Sequence, residues 1–274
     1  MGLFSIDKDK CVQAGFCAEE CPTGLVRMDG PDKYPTPLEG KEHFCVQCGH
    51  CVAVCPHDAI TLDAMPLDDF ALIREDLVVS PEQAEQFIKS RRSIRSYKKK
   101  PVEREILSRL VDGARFAPSG HNMQPVEWVV LASRESVIQL VELVVEWSRL
   151  EAEKDSEVAR ELNAPGLIRA WERGKDVICR GAPHLIAAHA AKSAMTPDLD
   201  AVIATAHLEL LAHGFGLGAC WAGYVLFAAR NHPPILEFLS IPKDHDLHGA
   251  LMLGRPKYKY HRIPPRREAG ITWI

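Results

Sequence analysis

The chain has 274 residues, of which 46% are hydrophobic and 7% aromatic, and 33 Lys and Arg against 37 Asp and Glu give a formal net charge of −4. This length suffices for two ordinary domains, and the composition is that of a globular protein rather than a fibrous or disordered one. The mild acidity argues against nucleic-acid binding. The sequence shows neither a basic, then apolar leader nor an apolar run of about 18 residues, so we expect a cytoplasmic protein that does not enter a membrane.

A cysteine motif near the start of the chain occurs twice, at a constant offset of 34 residues. The second copy, CVQCGHCVAVCP over residues 45–56, has the CxxCxxCxxxCP spacing of the thiolates that hold an iron–sulfur cluster. The cysteines that keep register are Cys11 with Cys45, Cys17 with Cys51, and Cys21 with Cys55. Position 14, which corresponds to Cys48, holds alanine instead. One of the two cluster sites therefore lacks a thiolate.

The fourth cysteine of each run belongs to the other cluster in two-cluster ferredoxins. This crossing predicts a complete shell for a [4Fe–4S] cluster, made of Cys21, Cys45, Cys48 and Cys51. The other set has three thiolates, from Cys11, Cys17 and Cys55. It predicts a [3Fe–4S] cluster, or a [4Fe–4S] cluster whose last iron binds water or another oxygen ligand. Zinc and disulfides are the alternatives, but zinc sites favour two pairs of ligands and disulfides need an oxidising compartment.

Further elements are predicted in chain order. The acidic stretch 64–79 is interpreted as a linker between a domain over 1–63 and a domain over 80–274. Ser80, Pro81 and Gln83 form a capping box that starts a helix. The other predicted elements are helices over Val102–Phe116 and Asp198–His213, the latter stopped by Gly214, a long, mostly helical stretch over Ser136–Ala170, strands over Glu127–Ala132 and Gly249–Gly254, and a buried strand or short helix over His184–Ala190. Many helices around few strands predict an α+β fold. Cys179 and Cys220 are interpreted as small buried hydrophobes.

Three segments of the second domain are candidate sites. The run RRSIRSY over residues 91–97 is, on charge alone, more typical of a solvated face than of a ligand site. Turn chemistry alone explains APSGHNMQP over 117–125. The glycines of GLGACWAG over 216–223 permit close approach of the backbone to a flat ligand. Each segment by itself is a weak signal.

Together, in this order and spacing, the three segments resemble the nitroreductase family of FMN-dependent oxidoreductases, as do the later strand LMLGRP and its basic tail KYKYHRIPPRR. The resemblance covers about residues 80–274, while residues 1–63 resemble a two-cluster ferredoxin. It implies a nitroreductase-like α+β sandwich preceded by a small iron–sulfur domain. It also implies a homodimer whose two subunits share their FMN sites.

The resemblance assigns FMN-binding roles to individual residues. Arg91, Ser93 and Arg95 match positions that bind the FMN phosphate and ribityl oxygens. Arg92 matches a position that contacts the flavin, often through its backbone, and Arg262 or Arg266 is expected to complete the phosphate site. The segment that reaches the isoalloxazine ring from the partner subunit contains Pro118, Ser119, Gly120 and Asn122. Ala222 and Gly223 match the backbone beside flavin N5, where an amide hydrogen stabilises the reduced ring.

Iron–sulfur clusters pass single electrons, whereas FMN exchanges one or two. The first domain is therefore expected to load or drain the flavin of the second, which predicts an enzyme. We expect an FMN-dependent oxidoreductase that passes electrons through its clusters to a small electron-poor organic substrate such as a nitroaromatic. No catalytic side chain is required, since water or a lid over Trp147–Trp171 would supply protons. The alternatives are an electron-transfer or diaphorase-like flavoprotein acting on a partner protein, or a non-catalytic FMN-binding redox sensor. The sequence has no GxGxxG nicotinamide motif, which favours reduced ferredoxin as donor, although NAD(P)H remains open.

Overall fold

A computed structural model of the chain describes residues 2–29 and 32–274. The chain divides into two compact units: the residues up to Val78 together with His121–Met123, and Val79–Gly120 together with Gln124–Ile274. The domain limits expected from the sequence stay a prediction. Within the described ranges, no helix combines the length and the apolar character needed to cross a membrane.

The first unit is built from short elements around a small apolar core. Its strands and helices are β1 (Phe4–Ile6), α1 (Phe16–Glu19), β2 (Val26–Arg27), β3 (Thr36–Pro37), α2 (His50–Ala53) and β4 (Ile60–Leu62). Strands β1 and β4 pair antiparallel, as do β2 and β3. Met65, Leu67 and Phe70, from the stretch interpreted as a linker, pack on this core, whereas Leu72 and Ile73 are each 89% exposed.

The second unit contains one four-stranded antiparallel sheet and most of the helices. Its helices are α3 (Pro81–Ser90), α4 (Arg104–Ala114), α5 (Arg134–Glu153), α6 (Glu157–Glu161), α7 (Ala164–Glu172), α8 (Pro197–Gly214), α9 (Gly223–Asn231) and α10 (Pro233–Phe238). Its strands are β5 (Glu127–Leu131), β6 (His184–Ala191), β7 (Gly218–Trp221) and β8 (His245–Gly254), in the spatial order β5-β6-β8-β7. The predicted α+β fold is confirmed.

Strand β6 is buried on both faces, which explains the apolar run over residues 185–188. Leu185 and Ala187 face a core that is completed by α5, α7, α9 and α10. Ile186, on the other face, packs with α4 and α8. Side chains of a strand alternate between faces, and when helices cover both faces the strand loses the alternation of polar and apolar residues. The ambiguous segment His184–Ala190 is therefore a strand.

The capping box predicted for α3 is confirmed. The Gln83 amide donates to Ser80 Oγ at 3.2 Å, and the Ser80 amide donates to Gln83 Oε1 at 2.8 Å. The stretch Ser136–Ala170 is mostly helical, as predicted, and it consists of the three helices α5, α6 and α7. Asp155 and Asn163 have left-handed backbone there, with φ of 47° and 49°, and the Ser156 and Asn163 side chains cap the two helices that follow.

The predicted stop of α8 is displaced by two residues. Gly214 is the last helical residue, and Gly216 takes the left-handed conformation with φ of 69°. The Leu217 amide donates to the Ala212 oxygen and the Gly216 amide to the His213 oxygen, which is the bonding pattern of a Schellman motif. Gly216 therefore ends the helix.

Gly249 on β8 is expected to be intolerant of a side chain. A Cβ at this buried position would overlap the Thr205 hydroxyl of α8. Overpacking of this kind typically costs about 1–3 kcal/mol, so Gly249→Ala should lower the free energy of unfolding by that amount in chemical denaturation. Adding Thr205→Ala should recover part of the loss. Gly270→Ala is the control, because no atom lies within 4 Å of its added Cβ; equal effects of the two alanines would refute the packing account.

Candidate functional site

Two cysteine-lined cavities lie in the first unit, and the structure sorts the cysteines between them as the crossed pattern predicts. One cavity is lined by Cys21, Cys45, Cys48 and Cys51. The other is lined by Cys11, Cys17 and Cys55, together with Ala14, Gln13 and His57. The two cavities have similar volumes, about 20 and 30 Å³. Loss of one cysteine has not closed the second cavity.

The two cysteine loops have the same backbone conformation. Gln13 and Gln47 have positive φ of 58° and 49°, and Gly15 and Gly49, which follow, have φ of 83° and 73°. Ala14 lies between Gln13 and Gly15, as Cys48 lies between Gln47 and Gly49. The first loop therefore differs from the second in its missing side chain and not in its path.

The thiol donors suit iron–sulfur clusters. The Leu25 amide donates to Cys21 Sγ and the Ala59 amide to Cys55 Sγ, both at 3.3 Å, so the crossed cysteine of each site receives a backbone hydrogen bond. Such bonds to sulfur tune the reduction potential of a cluster. Burial raises the pKa of Cys51 to about 11. At neutral pH this thiol therefore keeps its proton in the absence of a metal. Coordination to a metal ion would remove the proton and leave the thiolate that acts as ligand.

In the second unit, the segment Arg91–Arg95 lies along the edge strand β7. Ser93 forms a parallel bridge with Ala219, and the Ile94 amide donates to the Ala219 oxygen at 2.9 Å. A Cβ on Gly218 would lie 2.6 Å from Ile94 Cγ1. Gly218 therefore makes room for Ile94, whereas the close approach of a flat ligand to the glycines of this segment stays a prediction.

The same segment carries the C-terminal tail with it. The Lys98 amide donates to the Arg255 oxygen at 2.8 Å and the Lys257 amide to the Ser96 oxygen at 2.9 Å. The Tyr97 hydroxyl donates to the Ile94 oxygen at 2.6 Å, and burial raises the pKa of this phenol. These bonds bring the basic residues that follow Gly254 next to the arginine run.

A cationic groove, here called the arginine groove, forms where the run and the tail meet. Its polar and aromatic lining consists of Ser90, Arg91, Arg92, Glu209, His213, Tyr258, Lys259 and Tyr260. Arg91 Nη1 donates to Glu209 Oε1 at 2.8 Å, and burial lowers the pKa of His213. Three cations against one carboxylate, which a guanidinium already satisfies, fit an anionic group such as a phosphate.

One of two tail arginines, Arg262 or Arg266, was expected at the phosphate, but neither lines this groove. Arg262 and Arg266 lie in exposed, irregular chain, and Lys259 lies in the groove instead. The basic composition of the tail could have identified Lys259. Glu209 had no such signal, because its position follows from the packing of α8 against the arginine run.

A second groove, here called the Gly223 groove, lies at the other end of β7. Its lining includes Arg95, Leu162, Val177, Arg180, Trp221, Gly223, Tyr224 and Phe227. Gly223 begins α9, and no side chain caps this end at Ala222. The N-terminus of a helix favours negative charge, because its amides lack intrahelical partners and the helix dipole is positive there.

The assignment of Ala222 and Gly223 to the backbone beside flavin N5 stays a prediction. The Ala222 amide donates to the Ala250 oxygen at 2.9 Å, and the residue is 1% exposed. Gly223 is the exposed member of the pair. In the stretch Trp147–Trp171, Trp147 is 3% exposed and belongs to the core, whereas Leu162 lines the groove. A lid role for this stretch stays a prediction.

Arg180 is held at the Gly223 groove by a turn that the sequence did not reveal. The Asp176 carboxylate accepts hydrogen bonds from the amides of Ile178, Cys179 and Gly181 at 2.8–3.0 Å. It also accepts one from Arg134 Nη2 at 3.2 Å. Arg180 has left-handed backbone with φ of 59°. Non-glycine residues rarely adopt this conformation, and the bonded turn around Asp176 maintains it.

Cys179 is 0% and Cys220 5% exposed, so their interpretation as buried hydrophobes is confirmed.

The turn over 117–125 is fixed by hydrogen bonds but lines neither groove of its own chain. The Gly120 amide donates to the buried Asp200 carboxylate at 3.0 Å, and the Gln124 amide to Ser119 Oγ at 2.9 Å. Asn122 belongs to the stretch that groups with the first unit. There its side-chain nitrogen Nδ2 donates to the backbone oxygens of Val46 and Gln47 at 3.1 and 3.0 Å. The assignment of Pro118, Ser119, Gly120 and Asn122 to a partner's flavin stays a prediction.

Comparisons with known proteins match both parts of the chain. Residues 88–255, more than half of the chain, match the nitroreductase family model, and residues 10–59 match that of a 4Fe-4S dicluster domain. A protein of Methanothermobacter thermautotrophicus, provisionally named an NADH dehydrogenase/NAD(P)H nitroreductase, is 28% identical over 178 residues, which span 65% of this chain and 80% of the relative.

Solved structures share the fold of the second unit. A nitroreductase with bound FMN from Bacteroides fragilis has a TM-score of 0.56 and 22% identity, and the match covers 70% of this chain and 98% of that chain. A nitroreductase with bound FMN from Desulfitobacterium hafniense has a TM-score of 0.56 and 22% identity, with coverages of 69% and 97%. At this identity the likeness is one of fold.

The three-thiolate cavity is expected to hold a cluster with different properties from its neighbour. Electron paramagnetic resonance of the oxidised, anaerobically purified protein should show a three-iron signal. In Ala14→Cys the added thiol occupies the position equivalent to Cys48, so this signal should disappear as iron rises from about seven to about eight per chain. Ala53→Cys, which adds a thiol outside both cavities, is the control. Two all-thiolate four-iron clusters in the native protein would contradict the assignment.

Proposed function

The chain belongs to the nitroreductase family, and from this premise we propose that it is an FMN-dependent oxidoreductase that takes electrons through its iron–sulfur domain and reduces a small electron-poor organic substrate such as a nitroaromatic. The resemblance drawn from the sequence is confirmed as to family and iron–sulfur domain. The observation that carries the proposal is the placement of Arg91–Arg95 on β7, with a cationic groove at one end and a helix N-terminus at the other.

The arginine groove would hold the FMN phosphate. Arg91, Arg92 and Lys259 supply the positive charge there, and Ser93, between them and Arg95 on the same segment, would add a hydroxyl. Arg95 and Gly223, at the second groove, would lie toward the ring system. Arg262 or Arg266 would reach this phosphate only if the exposed tail is reordered. We further propose a homodimer, in which Pro118, Ser119, Gly120 and Asn122 complete the flavin site of the partner.

When bound, FMN would supply the exchange of electrons one at a time with the clusters and in pairs with an organic substrate. The chain itself supplies charge and shape. The free end of α9 at Gly223 favours negative charge that develops nearby. Apolar side chains of Leu162, Val177 and Phe227 line the same groove, so a ligand that covers them would displace water.

The lining of the Gly223 groove supports a planar, electron-poor substrate. Trp221, Tyr224 and Phe227 offer aromatic surfaces against which a flat ring can stack. Arg180 adds a cation that favours oxygen atoms carrying partial negative charge, as those of a nitro group do. Reduced ferredoxin and NAD(P)H are both possible electron donors in this proposal, and the clusters favour the first.

Loss of Arg95 should weaken FMN binding. A hydrogen bond to a charged group contributes roughly 1.5–3 kcal/mol, and about 1.4 kcal/mol corresponds to a tenfold change in affinity. Arg95→Ala should thus raise the Kd for FMN by about one to two decades, measured by flavin fluorescence during dialysis. Arg115→Ala, which removes an exposed arginine paired with Asp112, should leave the Kd unchanged. Full FMN occupancy of Arg95→Ala after extensive dialysis would refute the assignment of Arg95 to FMN binding.

Electron entry can be tested by removing the complete cluster site. Cys48→Ser should damage the site formed with Cys21, Cys45 and Cys51 while leaving FMN bound, because the cysteines and the arginine run belong to different units. Activity driven by reduced ferredoxin should fall sharply, whereas activity driven directly by NAD(P)H should largely survive. Absorbance spectra would establish that the cluster is lost and the flavin kept. If both activities persist in such protein, the clusters do not feed the flavin.

A further inference from the structure

Three potential metal ligands converge at one end of the sheet of the second unit, apart from both grooves. They are Glu127 at the start of β5, His189 near the end of β6 and His245 at the start of β8. Each offers one ligand atom, and these atoms lie within 4.8 Å of one another. The Nδ1 atoms of the two histidines are 2.9 Å apart. Two imidazoles and a carboxylate form a donor set that zinc and similar divalent cations favour.

The strand register explains why these side chains share a face. Glu127 lies directly opposite His189 in the β5–β6 ladder. Between β6 and β8 the register shifts by one residue after Ala188, so His189 faces Leu247 and His245 faces Ala191. Residues two apart on a strand point to the same face. Without this bulge, His245 would pair one position further along and point to the opposite face from His189.

The burial of the cluster suits a cation better than a simple pair of histidines. His189 is 4% and His245 9% exposed, whereas Glu127 is exposed and leaves a path from solvent. A hydrogen bond between the two Nδ1 atoms uses one proton and one lone pair, and it gives Glu127 no role. A cation uses both lone pairs and the carboxylate. Zinc–nitrogen bonds of about 2.0–2.1 Å set tetrahedral ligands roughly 3.4 Å apart, so the rings would need to separate only slightly.

We propose that Glu127, His189 and His245 bind a divalent transition-metal ion, zinc in particular, at a site distinct from the iron–sulfur clusters. The ion joins the starts of β5 and β8 to the end of β6. Because Glu127 lies two residues after the turn over 117–125, the ion would also anchor the chain just after that turn. The three protein ligands leave a fourth tetrahedral position for water.

The site can be tested on the full chain loaded with its clusters and FMN, purified anaerobically and passed over a chelating resin. Calorimetric titration with Zn²⁺ should show about one zinc ion bound per chain, without loss of iron. Zinc X-ray absorption should give a nitrogen and oxygen shell with imidazole scattering and no sulfur. Sulfur ligands would instead place the zinc in a cysteine cavity, and that result or an absence of binding would overturn the proposal.

Ligand variants provide the second arm. His189→Ala and His245→Ala should abolish zinc binding. Glu127→Gln keeps the shape of an exposed side chain and should weaken binding by at least about tenfold, the smallest loss seen for groups that only support a ligand. His207→Ala, which removes an exposed histidine on α8, should bind zinc as the native chain does. If the histidine variants fail to fold, Glu127→Gln decides, and native affinity in that variant would overturn the proposal.

Discussion

The open edge of β7 is the constraint on which the candidate flavin site depends. An unpaired strand edge presents a row of free amide and carbonyl groups that must be covered, and the segment Arg91–Arg95 covers it through Ser93 and Ile94. Gly218 permits this contact, because a side chain there would collide with Ile94. Once the segment is fixed, its first and last arginines face different grooves.

The two grooves differ in charge and shape because different buried carboxylates organise them. Glu209 on α8 pairs with Arg91 and leaves Arg92 and Lys259 as the cations of the arginine groove. At the Gly223 groove, Asp176 holds a turn that presents Arg180 beside aromatic side chains. A ligand with a phosphate at one end and a flat ring at the other matches this difference. Asp176, which accepts hydrogen bonds from three backbone amides and from Arg134, thus fixes the turn that carries Arg180, while Glu209 fixes Arg91 by a direct ion pair.

The first unit shows how a repeated fold tolerates the loss of one ligand. Left-handed glutamine and glycine residues shape both cysteine loops, and a backbone amide bonds the crossed cysteine of each site. Ala14 occupies a loop whose path is set by residues other than the missing cysteine. The two sites therefore keep one scaffold while presenting different ligand shells, which would give the clusters different potentials.

Local chemistry written over a few residues was readable from the sequence alone. The capping box at Ser80 and Gln83, the strand at Glu127, the crossed cysteine sets and the family resemblance of residues 91–97 all follow from spacing and residue type, because caps, turns and thiolate motifs act over short distances. Only the tertiary structure decided what depends on non-local packing. It shows that Gly216 rather than Gly214 ends α8 and that the Ala222 amide is hydrogen-bonded to the Ala250 oxygen. It also brings Lys259, Glu209 and Arg180 to the grooves and, through a register shift, places His245 beside His189. A one-residue change of register or a helix packed elsewhere would reassign each of these, and no local sequence pattern records such choices.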